Sequence, residues 1–278
     1  MSKTSKPTKT AVVTGASSGM GHAIALQLIK DGYRVYVAAR SVDKMADLVA
    51  KGAIAIKMDI SVPADIDAAA QAILSQAGTV DVLVNNAGYG LFGAMEDIGI
   101  DEARYQFEVN VFGPARLTQL LLPAMRAKRA GTIINITSMG GKIYTLLGSW
   151  YHATKHALEG WSDCLRLELE PLGIRVVVIE PGIIDTGFGD VVVDGILKRS
   201  GDGAYAEVTQ RVAKVTRQSY KPGTGTKPEV IARVISKAIK ARRPKTRYAA
   251  GRYAKMMISV RKWFGDRAFD SLILSQMK

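Results

Sequence analysis

Ala11-Val12-Val13-Thr14-Gly15-Ala16-Ser17-Ser18-Gly19-Met20-Gly21, followed by Ala23, Ile24, Leu26, Leu28 and Ile29 at helical spacing, is the stretch on which the reading of this chain turns. It predicts a strand, a glycine-rich turn and a helix. Glycines let the backbone turn tightly and approach a pyrophosphate, and a helix amino terminus offers that group free N–H donors and a partial positive charge. The run from Tyr33 to Arg40 predicts a second strand. In a dinucleotide fold the end of that strand meets the adenosine ribose, where an acidic side chain selects the 2'-hydroxyl of NAD. Ala39 and Arg40 stand there instead. A neutral residue followed by a cation favours NADP(H) over NAD(H), the alternative being that Arg40 only opens a solvated helix with Lys44.

Further strands are predicted at Ile54–Met58, Val80–Val84, Gly131–Thr137 and Ile174–Glu180. Each ends on polar or small residues, as a crevice at the carboxyl ends of parallel strands requires. Asp59 and Ile60 close the first of these, where the aspartate either accepts from an adenine amino group or caps the helix after Pro63. Asn85-Asn86-Ala87-Gly88 closes the second, as crevice or as a capped turn. Ser138 follows the third and Pro181-Gly182 the fourth. Beyond Ser138, Tyr151-His152-Ala153-Thr154-Lys155 puts a phenol and an ammonium four residues apart, on one face of a helix. Acid–base work near neutrality needs the phenol, normally near pH ~10, shifted by roughly three units. A cation within about 4 to 6 Å supplies such a shift. The Ser138 hydroxyl suits a carbonyl oxygen on which negative charge develops. Together these residues describe a carbonyl reduction site.

Thr14-Gly15-x-x-x-Gly19-x-Gly21, Asn85-Asn86-Ala87-Gly88, Asn110, Ser138, Tyr151-x-x-x-Lys155 and Pro181-Gly182 occur in the order found in short-chain dehydrogenases/reductases, which the chain resembles from residue 10 to about 245. The resemblance implies one α/β domain of Rossmann type, doubly wound around a mainly parallel seven-stranded sheet, with a nicotinamide cofactor and a homodimeric or homotetrameric state. It implies that Tyr151 donates the proton and that Lys155 depresses its pKa and binds the nicotinamide ribose. Ser138 would orient the carbonyl. Asn110, read as the end of a helix, would hold a water that links Lys155 to a proton relay. Gly15, Ser17, Ser18, Gly19, Met20, Gly21, Arg40, Asp59, Ile60, Asn86, Ala87, Gly88, Tyr151, Lys155, Pro181, Gly182, Ile183 and Thr186 would contact the cofactor. Ser17 and Ser18 stand where many NADP enzymes of the family carry a base, and Met20 replaces the more usual Ile or Leu.

After Thr186 the regular pattern breaks, and residues 187–225 read as a long insertion forming a substrate lid. Together with Met139, Tyr144, Leu146 and Trp150, its Phe188 predicts broad apolar walls and a bulky hydrophobic ketone, aldehyde or alcohol as substrate. His152 and His156 lack a third ligand, and no metal is expected. Cys164, the chain's sole cysteine, sits in an apolar-periodic helix and reads as packing.

With 278 residues and 47% hydrophobic content, the composition is that of a soluble globular protein. The polar, basic Met1–Thr10 stretch and the lack of a bilayer-length apolar run predict a cytoplasmic location. The net charge of +13 is concentrated in residues 221–278, where fifteen Lys or Arg face three acids. The division expected is a catalytic domain over 1–250 and a basic extension over 251–278. In that extension Tyr253, Met256, Met257, Val260 and Phe264 read as one helical face, either packed on the domain or lying on an anionic membrane. Similar extensions occur in the subgroup of 17β-hydroxysteroid and retinol dehydrogenases and 1-acyl-dihydroxyacetone-phosphate reductases. No aromatic-interleaved basic groove accompanies the charge, so no nucleic acid is expected as a partner. The rival to an enzyme is a non-catalytic dinucleotide-binding or interaction protein on the same fold.

Overall fold

The computed structural model describes residues 8–276; residues 1–7 of the predicted basic amino terminus and the last two residues of the extension lie outside the described part. The chain runs β1 (Thr10–Thr14), α1 (Gly19–Lys30), β2 (Arg34–Ala39), α2 (Ala46–Ala50), β3 (Ile54–Lys57), α3 (Pro63–Ala77) and β4 (Val82–Asn85). It continues through α4 (Ile100–Phe107), α5 (Gly113–Lys128), β5 (Gly131–Ile136), α6 (Ser149–Leu169) and β6 (Ile174–Pro181). It ends with α7 (Phe188–Ser200), α8 (Ala206–Ser219), α9 (Pro228–Lys240), β7 (Arg247–Ala250) and α10 (Ala254–Ser275).

The strands form one seven-stranded sheet in the order β3-β2-β1-β4-β5-β6-β7, and every pairing is parallel. That composition follows from the sequence. Central strands such as Ala11-Val12-Val13 and Val176-Val177-Val178 are apolar on both sides because helices cover both faces. Ile24 and Leu28 of α1 pack with Ile231 and Ile235 of α9 on one face. Ile66 and Ile73 of α3, Leu117 and Leu121 of α5, and Leu165 of α6 fill the other. The strand order reverses between β1 and β4, which opens a crevice at their carboxyl ends, the place where doubly wound sheets bind ligands.

Three local expectations are corrected. Residues 187–225 are not an irregular loop: α7 and α8 form a helical pair, closed on itself by Val192, Val193 and Ile196 against Val212 and Ala213. The β-branched run Val191-Val192-Val193 hid a helix whose inward positions recur at i, i+1 and i+4. Asn110 does not end a helix but lies within a π-helical turn, Glu108–Phe112, that joins α4 to α5. Cys164 is exposed on α6 and does not pack in the core.

The extension wraps back over the domain. Phe269, fully buried, and Ile273 pack with Met257 against Ile143. Burial of one such aromatic ring is worth about 1.5–3 kcal/mol, enough to hold the second half of α10 in place.

Candidate active site

The turn between β1 and α1 is shaped by its glycines. Gly15 has φ +66°, in the left-handed region. At Gly21 an added Cβ would lie 2.2 Å from the Gly15 carbonyl oxygen and 2.5 Å from Asn86 Nδ2, so only hydrogen fits. Asn86 fastens this turn to β4: its Nδ2 donates to the carbonyls of Thr14 (2.9 Å) and Gly15 (3.2 Å). Thr14 Oγ1 in turn accepts from the N–H groups of Asn86 (3.1 Å) and Ala87 (3.0 Å). The amino terminus of α1 has neither a side-chain cap nor an acidic residue in its first turn. Its free N–H groups therefore face the crevice undiminished, and an anionic diphosphate fits there.

A cleft of about 650 Å³ runs along the strand ends. Gly15, Ser18, Gly19, Met20, Gly21, Asn86, Ala87, Gly88, Ser138, Tyr151, Lys155, Pro181, Gly182 and Thr186 line it, so most residues expected to contact a cofactor meet in one cleft. Thr186 faces Gly19 across the cleft, 3.2 Å from where a Cβ would be. Arg40 is exposed, one residue beyond β2, and Ser17 is half-buried in the turn. Three further predicted contacts are not among the residues lining this cleft. Asp59 Oδ1 accepts from the backbone N–H (2.9 Å) and Oγ (2.7 Å) of Ser61, which is turn capping. Ile60 is buried in the core. The Ile183 N–H donates to Arg252 (3.0 Å) and its carbonyl accepts from Thr226 (3.0 Å), while its side chain borders a different cavity.

Ser138, Tyr151 and Lys155 come together at the end of this cleft. The backbone N–H of Gly140 donates to Ser138 Oγ at 3.0 Å and fixes the hydroxyl. Lys155 Nζ donates to the Ile136 carbonyl at 3.0 Å and lies 6.0 Å from the centre of the Tyr151 ring. Asn110 Nδ2 donates to the Tyr89 carbonyl and to Thr154 Oγ1, both at 3.0 Å, and its Oδ1 accepts from the Tyr89 N–H at 3.0 Å. A Cβ built on Gly88 would lie 3.1 Å from Asn110 Oδ1 and 3.7 Å from Lys155 Nζ, so both groups converge on the same point.

Electrostatics corrects one expectation. Burial pushes the Tyr151 phenol up to about 12, opposed only by its hydrogen bond with Ser138. Burial also brings Lys155 down to about 8, partly offset by the Glu159 carboxylate. Burial thus keeps the proton on the phenol at neutral pH, and Ser138, not Lys155, is the neighbour that draws its pKa down.

A second cavity of about 450 Å³ adjoins the first, and Ser138, Tyr151, Gly182, Phe188 and Tyr220 border both. Met139 and Leu146 line it as expected, together with Phe92, Val212, Val215, Met257 and Ile273. Two predicted wall residues turn away. Trp150 packs beside Leu91, Ile98 and Ala103. Tyr144 stacks edge-on against Phe269, ring centres 5.2 Å apart, and donates to Asp270 at 2.8 Å, fastening α10 to the loop after β5.

His152 and Tyr220 are contributors that sequence reasoning missed. The Thr145 N–H donates to His152 Nε2 at 3.0 Å, which leaves Nδ1–H to donate to the Gly140 carbonyl at 2.8 Å. Burial lowers the imidazole to about 4, so it stays neutral and pins the Ser138 loop to α6. Its place next to Tyr151 was the available signal. Tyr220 had none, because only the return of the chain after α8 brings it against Phe188, ring centres 6.0 Å apart.

Comparison with known proteins agrees with this geometry. The family model for short chain dehydrogenases matches residues 9–195. A 3-ketodihydrosphingosine reductase of Bacteroides thetaiotaomicron is 33% identical over 257 residues, 92% of this chain and 93% of that protein. A Streptomyces avermitilis short-chain dehydrogenase superposes with a TM-score of 0.82 at 37% identity, covering 98% of this chain and 95% of its own. A metagenomic short-chain oxidoreductase in complex with NADP gives 0.67 at 30% identity, over 86% and 95% of the two chains. A Burkholderia phymatum relative in complex with NAD gives 0.78 at 26%, over 92% and 93%. A family match across more than half the chain, on a fold whose crevice gathers Ser138, Tyr151 and Lys155, makes this protein an oxidoreductase of the short-chain dehydrogenase/reductase family.

Proposed function

We propose that the chain interconverts a carbonyl and an alcohol on a bulky apolar substrate, using NADP(H). One observation carries the reading: Tyr151 and Ser138 stand on the boundary shared by a polar cleft at the strand ends and a separate, mostly apolar cavity of about 450 Å³. A group bridging two chambers serves a reaction between occupants of each. The cofactor, when bound, supplies or takes up the hydride. Gly15, Gly19 and Gly21 with the α1 terminus would hold its pyrophosphate, Lys155 its nicotinamide ribose and Thr186 its carboxamide. Arg40, exposed one residue beyond β2 and preceded by the neutral Ala39, supports a 2'-phosphate there.

The chain's own residues handle the proton. Ser138, held by Gly140, donates to the carbonyl oxygen and orients it. Tyr151 keeps its proton until negative charge develops on that oxygen and then gives it up. Lys155 places its ammonium where the resulting phenolate is stabilised. Asn110, engaged with Tyr89 and Thr154, keeps the base of this arrangement rigid. The apolar walls, with no Lys or Arg among the described residues that line the cavity, support a hydrophobic ketone or aldehyde over a sugar or small acid. The bacterial 3-ketodihydrosphingosine reductase relative lends support to a lipid-like carbonyl.

The test is the initial rate of nicotinamide absorbance change across a panel of bulky ketones, aldehydes, steroids and long-chain 3-keto compounds, with NADPH and NADH side by side. Turnover favouring NADPH and large apolar substrates is expected. Equal rates with both cofactors would overturn the Arg40 assignment, and preference for small polar carbonyls would overturn the substrate class.

A further inference from the structure

The extension leaves a conspicuous part of itself uncovered. Along α10 the inward face is Ala254, Met257 and the half-buried Ile258 and Arg261. The opposite side carries Met256 and Trp263, seven residues apart and so on one face, with Tyr253 one turn earlier. Trp263 is 74% exposed, Phe264 71% and Met256 52%. The residues expected on one helical face, packed or membrane-facing, are therefore divided, with Met257 and the half-buried Val260 inside and Tyr253, Met256 and Phe264 outside. Gly265, at φ +75°, breaks the helix immediately after this pair, so the two aromatic rings stand at an elbow and not along a continuous helix.

Cations accompany them. Lys255, Ser259 and Lys262 form a polar stripe beside Met256 and Trp263, and the Lys262 ammonium lies 5.0 Å from the centre of the Trp263 ring. Arg267 is exposed just past the elbow. From residue 252 to 267 there are five cations and one acid, Asp266, which pairs with Arg261. The same helix forms the rim of the apolar cavity through Tyr253, Met256 and Gln276, and Trp263 stands about 10 Å from Met256 at ~1.5 Å per residue.

We propose that the α10 elbow, with Trp263 and Phe264 as inserting side chains and Lys255, Lys262 and Arg267 as headgroup contacts, docks on an anionic lipid surface. The bilayer would then meet the rim of the apolar cavity. Exposed aromatics over a lysine stripe match an acyl boundary beneath phosphate headgroups. A second copy of this chain fits less well, because a twofold contact would set those cations against their own duplicates. The docking stands on this surface alone; only the meaning of the rim rests on the proposed substrate class, and the experiment below does not read turnover.

Co-sedimentation of the full chain with vesicles of phosphatidylcholine and phosphatidylglycerol, against phosphatidylcholine alone, tests it. Binding is expected to the anionic vesicles, weakened about fivefold per cation removed and screened by salt. The double variant W263S/F264S should bind about tenfold more weakly or less, and K255E/K262E should not bind at low vesicle concentration. Both should keep the wild-type melting temperature and solution mass, since all four side chains are exposed. Wild-type protein left in the supernatant with anionic vesicles, or W263S/F264S binding as tightly as wild type, would overturn the docking. So would a fall in solution mass in W263S/F264S, which would assign the elbow to self-association.

Discussion

The two chambers that meet at Tyr151 are made by different means. The cofactor cleft is framed by backbone: strand ends, a helix terminus and glycines at positions where a side chain does not fit. The apolar cavity is framed by side chains from α7, α8, α10 and the loop after β5, elements distant in sequence. A wall of backbone tolerates little substitution because nothing in it can yield. A wall of Val, Met and Leu can repack, and its changes should be graded.

The sharpest contrast comes at the shared boundary. Tyr151→Phe removes the proton donor and leaves both walls intact, so turnover should fall by about 10³-fold or more while NADPH affinity, read by fluorescence titration, stays within about twofold of wild type. Equal loss of both would mean that the boundary also builds the cleft. Next in size is Gly21→Ala, whose Cβ would meet the Gly15 carbonyl oxygen at 2.2 Å. Backbone must move, at about 1–3 kcal/mol, and NADPH affinity should drop about 10- to 100-fold with little change in the preferred substrate. Arg40→Ala should lower the NADPH over NADH preference in kcat/KM by about tenfold or more, the loss of one charge-assisted contact, with NADH kinetics unmoved. On the other wall Val212→Ala should raise KM for a bulky ketone by less than about tenfold and admit larger substrates, without touching NADPH affinity.

The smallest effect lies beneath the boundary. Glu180, the penultimate residue of β6, lies 3.6 Å from Arg247 and is pushed up to about 7 by burial and then by the nearby Glu159. The folded chain keeps that proton up to about pH 7, while an unfolded glutamate releases it near pH ~4.3. Folded protein therefore holds more protons within that window, and stability falls as pH rises through it. Glu180→Gln should flatten the decline of melting temperature between pH 5 and 8 by a few degrees, in the range ~2–4 °C per kcal/mol.

The same division governs what could be read from the chain in advance. Glycines fixed by close approach, apolar strands buried on both faces and a helical Tyr151–Lys155 pair are local patterns with one structural meaning. They indicated the parallel sheet and the strand-end cleft that Ser138, Tyr151 and Lys155 line together. The end of β2 at Ala39 and Arg40 is also a local pattern. The substrate wall is not: Trp150 and Tyr144, close to Tyr151 in sequence, turn away, while Tyr220 and Val212 arrive through the folding of α7 on α8. In residues 187–225, read as a long insertion, the β-branched Val191-Val192-Val193 has low intrinsic helix preference, which packing of α7 on α8 overrides. The Tyr151 pKa depends on total burial, and no spacing of residues encodes that.

Transfer of deuterium from NADPH carrying deuterium at both C4 positions to a bulky apolar ketone, followed by mass spectrometry of the alcohol, tests the central claim most directly. One deuterium on the new carbinol carbon in wild type, and none in Tyr151→Phe on the same timescale, is the predicted result. Alcohol formed without deuterium, or deuterium transfer at an undiminished rate in Tyr151→Phe, would contradict it.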